Sequence, residues 1–557
     1  MTSDLTRLVN PDARTRSVSF GALCLLGIGV VTALVITVQP SIAAYDEALI
    51  LYGASRVLHG DVPYRDFWTL YGPASYYVVA GLFRLFGESV AAGRGFDLAA
   101  RVAIVMTAYA IVYRTGRSKL ALLTAGVECL LMIVAEQPES VFFPAIAATL
   151  LASYLLADGP LASGALGRAA AAGACAGAAF LFRTDLGIYG WLACAVLVLG
   201  LRSCSPDRDR ADRWSRVALL ALGLVIVPVV VTFAIIVPWR DLVDDLVRIP
   251  LLVYPQMRAL PRPSLRTVPL GVANLESLKI VVYAPLLTTF VCVIVIMRAS
   301  WRSPWRGMRL PAEAIVCSSF ICLSALMALK GFVRVSPYHM APALIASALA
   351  LALTFAQPNI GSTSRWVLGV TAAICMGPLL GPSHRFAQFA AHALKSTVHG
   401  QLPIPVAQLV EACLHPALPR LRCATTDDDR IVVARFLIEQ APADRPVYVG
   451  AGRHDKLFVN DVLLYFLSGT FAPTKWYDLH PGVQTTIAVQ SEMIKDMRRR
   501  PPAWVIRNTA WDGIEEPNQS RFSSGVTALD DYLKRSYVPQ FSIGSYVVER
   551  PVSANLP

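Results

Sequence analysis

Apolar runs of roughly 16 to 22 residues recur along the first two-thirds of the chain, each near the length a helix needs to cross a hydrocarbon layer of about 30 Å. This recurrence limits the fold more than any other feature. Of the 557 residues, 55% are hydrophobic and 16% charged, and the mean hydropathy is +0.52. Ordinary soluble chains carry about 25% charged residues. Disorder, collagen, coiled coil, a small disulfide scaffold and a purely soluble enzyme are excluded. The net charge of +12 would suggest a nucleic-acid partner in a soluble protein. Here the surplus sits in short loops between apolar runs, so it reads as membrane topology and no nucleic-acid partner is expected.

Spans are expected at 18–38, 96–113, 119–135, 140–157, 165–182, 186–200, 216–237, 277–297, 311–329, 337–356 and 366–380. The first reads as a signal anchor, too long for a cleavable signal and with no A-x-A site after it. The segment 72–87, GPASYYVVAGLFRLFG, is moderately apolar, opens with Gly72-Pro73 and carries Arg84. Charge decides its role. If it does not cross, the basic stretches fall on one side: Arg7, Arg14 and Arg16; Arg114, Arg117 and Lys119; Arg202 to Arg216; Arg298 to Arg309. That side is the cytoplasm by the positive-inside rule. The segment is therefore expected as an interfacial helix on the outer face. The result is a polytopic α-helical membrane protein of about eleven spans, N-terminus inside and C-terminus outside.

The transmembrane core then covers 1–380, with external loops at 39–95 and 238–276, and the tail 381–557 forms an extracytoplasmic domain. In the tail, 445–450, 504–507 and 545–550 read as strands, and 460–469 and 527–537 as helices. Their alternation predicts a small α/β domain. The GAGRHD turn at 450–455 lacks G-x-G-x-x-G and reads as a plain tight turn. Of eleven cysteines, nine lie in or beside apolar segments without a CxxC pair. Cys413 and Cys423 follow the last span, where this topology places an oxidising compartment, and a disulfide between them is expected.

Ionisable residues near a bilayer are costly and tend to be functional or paired. Most here cluster at the outer ends of spans. Asp46 and Glu47 begin a stretch with Leu51, Ala54 and Leu58 at helical spacing, which predicts a helix lying on the membrane. The pair could do no more than stabilise a helix N-terminus, by about 0.3–1 kcal/mol each. Arg65, Asp66, Trp68 and Tyr71 follow in PYRDFWTLYGP and suit an interfacial aromatic belt or a sugar platform equally. Glu136 and Glu139 share a short loop and make a second acidic site. Arg183 and Asp185 lie in another, and Lys330, Arg334 and His339 in a third. Acids there can take a proton or hold a divalent metal, whose requirement stays unknown. Arginine and lysine can hold a phosphate. Arg101 and Glu128 fall inside expected spans and are expected to pair with one another or with backbone.

One span, Asp46-Glu47, LYGASRVLHGDVPYRDFW, a Gly-Pro-led apolar helix ending LFGES, and Arg94 follow in order. This order resembles the GT-C glycosyltransferases, including protein O-mannosyltransferases and bacterial lipid A aminoarabinose transferases. The match is good over about residues 40–115, while FRTDLGIY and VRVSPYHMAP look like later segments of a bacterial subgroup. The resemblance implies a GT-C-like core in a bacterial inner membrane. It also implies a polyprenyl-phosphate sugar donor at the outer leaflet, a lipid, glycan or protein acceptor, and inversion at the anomeric carbon. Asp46 would be the general base and Glu47 its partner or a metal ligand. Arg183, with Lys330 or Arg334, would bind the donor phosphate. Arg65, Asp66, Trp68, Tyr71 and His339 would contact sugar or acceptor. Relatives often carry lysine or histidine beside the proline of the third element; here Thr69-Leu70-Tyr71-Gly72-Pro73 has neither, so the phosphate clamp is expected elsewhere. Two other classes stay open. A transporter or flippase would favour internal repeats, and none is visible. A non-catalytic scaffold displaying the tail would not need Asp46.

Overall fold

The computed structural model describes residues 20–134, 141–262, 278–302, 312–377 and 404–552. Every expected span falls on a helix. In chain order the helices are α1 (Phe20–Thr37), α2 (Asp46–Leu58), α3 (Ala74–Phe86), α4 (Val90–Tyr113), α5 (Ser118–Val134), α6 (Phe143–Leu156), α7 (Ala165–Phe182), α8 (Thr184–Cys204) and α9 (Arg208–Ile236). A broken segment follows: α10 (Trp239–Val243), a π-helical stretch Asp244–Val253, and α11 (Tyr254–Arg258). Then come α12 (Leu278–Arg302), α13 (Ala312–Gly331), α14 (Pro337–Ala356) and α15 (Ser362–Met376). Among the described residues, α4, α7, α8, α9, α12, α13 and α14 are long and apolar enough to cross a membrane, while α1, α3 and α6 are shorter apolar helices. The chain is a multi-pass membrane protein. Length is what separates these helices from the expected tally of about eleven spans: α5 has 17 residues and α15 has 15.

Small residues set the closest packing. A Cβ on Gly173 would meet the Ala218 carbonyl oxygen at 2.1 Å, and one on Gly177 would meet Val225 at 2.9 Å. These glycines, one turn apart on α7, let α9 approach backbone to backbone, as small-residue faces do in membranes. The opposite side of α9 exposes Leu220, Leu224, Val231 and Ile235, a face suited to lipid. α14 is the central helix, burying Leu344, Ile345 and Leu349. Of the two expected partners, Arg101 takes the backbone and not Glu128. Its Nε donates to Asp97 one turn earlier at 2.5 Å, its Nη1 donates to the Met132 carbonyl at 2.5 Å, and it lies 4.2 Å over the Phe143 ring. An (i, i+4) carboxylate on the same face is the nearer partner. Both Glu128 carboxylate oxygens are buried without a hydrogen bond among the described residues.

The tail folds as a small mixed domain. Strands β1 (Val447–Ala451), β2 (Trp504–Asn508), β3 (Tyr537–Ile543) and β4 (Tyr546–Pro551) form one sheet in the order β1-β2-β4-β3. β1 and β2 are parallel; β4 is antiparallel to both neighbours. Its helices are α16 (Ile404–Leu414), α17 (Asp428–Gln440), α18 (Val462–Ser468), α19 (Ile487–Arg499) and α20 (Ala528–Ser536). The expected helix 527–537 ends at Ser536, and the chain turns directly into β3, a strand the alternation did not reveal.

The tail also changes the environment of α2. Glu47 through Arg56 are all buried, so protein covers the face of α2 that was expected to meet lipid headgroups. Its apolar surface is covered by α18 and α3. Tyr52 stacks on Tyr465 with centroids 5.0 Å apart, Phe83 of α3 stacks on Phe466 at 5.8 Å, and the Leu463 amide donates to the Ala44 carbonyl at 3.0 Å. Burying each such aromatic contributes roughly 1.5–3 kcal/mol. The loop before α2 pairs with the tail through Ile42 to Thr425 and Thr425 to Pro40 backbone bonds of 2.9 and 2.8 Å. A disulfide joins Cys413 to Cys423 beside this seam.

Candidate active site

Asp46 is the first residue of α2, where the N-terminal end of a helix favours negative charge. It lies within electrostatic reach of Tyr45, Tyr71 and Arg334. Three features bring those groups there. Gly72 has no Cβ, and one would sit 2.1 Å from the Leu181 carbonyl oxygen, so the loop before α3 runs hard against the end of α7. That contact sets Tyr71 beside Arg183, whose guanidinium carbon is 5.4 Å from the Tyr71 ring centroid and 4.4 Å from that of Phe142. Arg183 caps α8, donating from Nε to Asp185 Oδ1 at 2.9 Å, and Lys330 at the end of α13 holds Asp185 Oδ2 at 2.9 Å. Two cations thus share one carboxylate, leaving the trio with a net positive charge. His339, at the start of α14, sits among Arg183, Lys330, Arg258 and Arg334, with its Nδ1 2.7 Å from the Ser336 hydroxyl.

The tail closes the cluster. The Tyr45 hydroxyl donates to Asp478 Oδ1 at 2.6 Å and lies 2.5 Å from His480 Nε2. The His480 ring meets Tyr45, Trp68 and Tyr254 with centroids 5.9, 5.3 and 5.9 Å away. Burial, with the Asp478 and Asp46 carboxylates beside it, pushes the Tyr45 hydroxyl far up, so it stays a donor. Glu516 accepts from Arg334 Nη1 at 3.1 Å and from its Nη2, and forms an ion pair with Arg258 Nη1 at 3.0 Å. Burial works to raise the Glu516 carboxyl, but the two arginines outweigh it and hold it below the usual range.

Asp46, Tyr71, Arg183, Lys330, Arg334 and His339 are therefore brought together from distant stretches of sequence. Glu47 faces elsewhere. It is 5% exposed and paired twice with Arg94, Nε to Oε1 at 2.7 Å and Nη2 to Oε2 at 3.1 Å. Arg94 also donates to the carbonyls of Gln39 and Ser41 at 3.0 and 2.9 Å. Burial raises the Glu47 carboxyl against the pull of Arg94. This pair ties α4 to the entry of α2 and so fixes where Asp46 points. Arg65 and Asp66 pair with each other at 2.7 Å on the surface and do not join the cluster. Trp68 is 1% exposed, packed on Trp476 with centroids 5.9 Å apart. Glu136 and Glu139 lie outside the described residues. Among those described, no group of three or more His, Cys, Asp or Glu could hold a metal ion. A separate cavity of about 290 Å³ lies between α1, α4, α5 and α16, lined by Leu34, Arg94, Asp97, Met132, Leu409 and Cys413. None of the cluster around Asp46 lines it.

Sequence reasoning missed Tyr45, Tyr254, Arg258, Asp478, His480 and Glu516. The one local signal was Asp478 and His480, two residues apart after an apolar tail helix. No protein-family model and no curated protein matches the sequence. Among solved structures the chain is similar to ArnT from Cupriavidus metallidurans in the apo state, with TM-score 0.53 and 13% identity over 96% of this chain and 98% of that one. It is also similar to the same protein bound to undecaprenyl phosphate, with TM-score 0.47 and 14% identity over 96% and 99% of the two chains. A third similarity is to arabinofuranosyltransferase AftD from Mycobacteria, with TM-score 0.46 and 12% identity over 97% of this chain and 40% of that one. The apo ArnT structure shows that the chain shares the fold of that protein over nearly its whole length.

Proposed function

We propose that the chain is an integral-membrane glycosyltransferase. In this reading it moves a sugar from a polyprenyl-phosphate donor to an acceptor hydroxyl or other nucleophile at the outer face of a bacterial inner membrane. The observation that carries the reading is the gathering of one carboxylate, Asp46, with Arg183, Lys330 and Arg334 at the end of the bundle that the tail covers. A base and a group of cations are what displacement at an anomeric carbon needs. The acceptor oxygen forms a bond to that carbon while its proton passes to Asp46. The bond from the carbon to the phosphate oxygen breaks on the opposite face, and its electron pair leaves with the polyprenyl phosphate. Configuration inverts. In this reading Arg183 and Lys330, held by Asp185, neutralise the negative charge that grows on that leaving oxygen. In this reading Tyr71 and His339, which neighbour Asp46 and the cations, contact sugar or acceptor.

Transfer from a polyprenyl-linked sugar by the purified protein tests the reading. Asp46→Asn alters little more than one atom and should lower the rate by about 10²–10⁴-fold. Activity above a tenth of wild type would remove Asp46 from the role. Orientation is tested separately. Gly93→Cys, in a background without the native cysteines, should react with an impermeant thiol reagent added from outside. Reaction only after the membrane is opened would place this end in the cytoplasm.

A further inference from the structure

Glu516 belongs to a stretch between β2 and α20 that has no regular structure beyond one 3-10 turn, Gln519–Arg521. That turn packs on α11. Glu516 reaches across to two arginines from other parts of the chain, Arg258 at the end of α11 and Arg334 after α13. Both are largely buried, with side chains 5% and 15% exposed. Two guanidinium groups around one carboxylate have the geometry of an oxyanion site, and they carry one more charge than Glu516 supplies. The site is also incompletely used. Arg258 Nε is buried and makes no hydrogen bond among the described residues. A carboxylate has two oxygens, whereas a phosphate offers three or four and could satisfy that donor as well. The grip on Glu516 from its own side is slight: Asn518 Nδ2 donates to Oε2 at 3.1 Å.

We propose that Glu516 is a latch, an exchangeable occupant of an anion site formed by Arg258 and Arg334. A phosphate group takes its place on the two arginines and releases residues 516–522 from α11, opening the covered side of the cluster around Asp46, while Asp512, Glu515 and Ser523 stay bound to Gly452, Lys456 and Asp455. This deepens the proposed function, on which it rests, by assigning Arg258 to phosphate recognition and the tail to control of access. The chemistry recognised is a phosphate monoester or diester, whether a lipid headgroup or a free anion.

The test measures binding of undecaprenyl phosphate and of inorganic phosphate to the full chain in detergent. Glu516→Gln removes the competing charge and should tighten both by roughly tenfold, because the site no longer has to expel a carboxylate. Adding Arg258→Gln should abolish that gain. Asn518→Ala, which leaves the arginines and Glu516 in place, should give a smaller gain in the same direction and covers the case of a Glu516 variant that folds poorly. Unchanged affinity in Glu516→Gln and Asn518→Ala, with the wild type binding the lipid, would overturn the latch and leave the proposed function standing. A gain for inorganic phosphate without binding of the lipid by any variant would keep the latch and remove the polyprenyl donor.

Discussion

Two cation pairs stand near Asp46 and are built from different parts of the molecule. Arg183 and Lys330 share Asp185, and all three sit at helix ends in the bundle, where α8 packs against α13. Arg258 and Arg334 share Glu516, which the tail supplies. The first arrangement is fixed whenever the bundle is folded. The second lasts only while a loop is seated. A fixed pair can stabilise charge in a transition state without reorganising, which suits chemistry. A pair closed by a loop suits an event that comes and goes, such as substrate entry. In this reading the bundle pair governs turnover and the tail pair governs binding.

Substitution of one member from each pair breaks the comparison most directly. Lys330→Ala should lower kcat by about 10²–10³-fold, the usual effect of deleting one preorganised donor, with little change in KM. Arg258→Ala should raise KM several-fold and leave kcat near wild type. Steady-state kinetics with the lipid-linked donor separates the two. A loss of kcat at Arg258 as large as that at Lys330 would mean that the pairs share one task.

The tail pair should also depend on what holds the tail in place. The Cys413–Cys423 disulfide closes a short loop, and the Cys423 carbonyl lies 3.5 Å from Arg94, the residue that fixes the start of α2. By the chain-entropy relation a loop of this size contributes roughly 2–3 kcal/mol. Cys413→Ser with Cys423→Ser should lower the thermal midpoint by several degrees and raise KM more than it lowers kcat. Alkylation of both native cysteines without prior reduction would remove the bridge from this account.

How much of this could be read from sequence follows from the same contrast. Each member of the bundle pair sits in a short polar break between apolar runs, FRTD or KGFVR, where a costly charge stands out. Asp46 is visible for the same reason. Glu516 is one acid among many in a polar tail and lies 182 residues from Arg334, so composition carries no trace of the contact. Gly72 could be read only as the residue before a proline; that it admits the Leu181 carbonyl is a fact of packing. The helix α2 was read correctly in its spacing and wrongly in its surroundings. An apolar face does not say whether lipid or another domain covers it, and here Tyr465 and its neighbours do.

The smallest expected effect concerns acid. The two arginines hold the Glu516 carboxyl below the ordinary glutamate value of 4.5, despite burial. A depressed carboxylate contributes its full stabilisation above the unfolded-state value and loses it as pH falls through the seated-state value. The contact should therefore be unaffected between pH 7 and 5 and weaken only below about pH 4.5. Hydrogen exchange of the amides in 516–522, corrected for intrinsic rates, reads this out in the full chain. Protection should stay level down to pH 5 and then fall, and in Asn518→Ala the fall should begin at a higher pH because one hydrogen bond to the ionised form is gone. Loss of protection between pH 7 and 5 would mean that a contact other than the Glu516 carboxylate holds the loop on the tail side of the comparison.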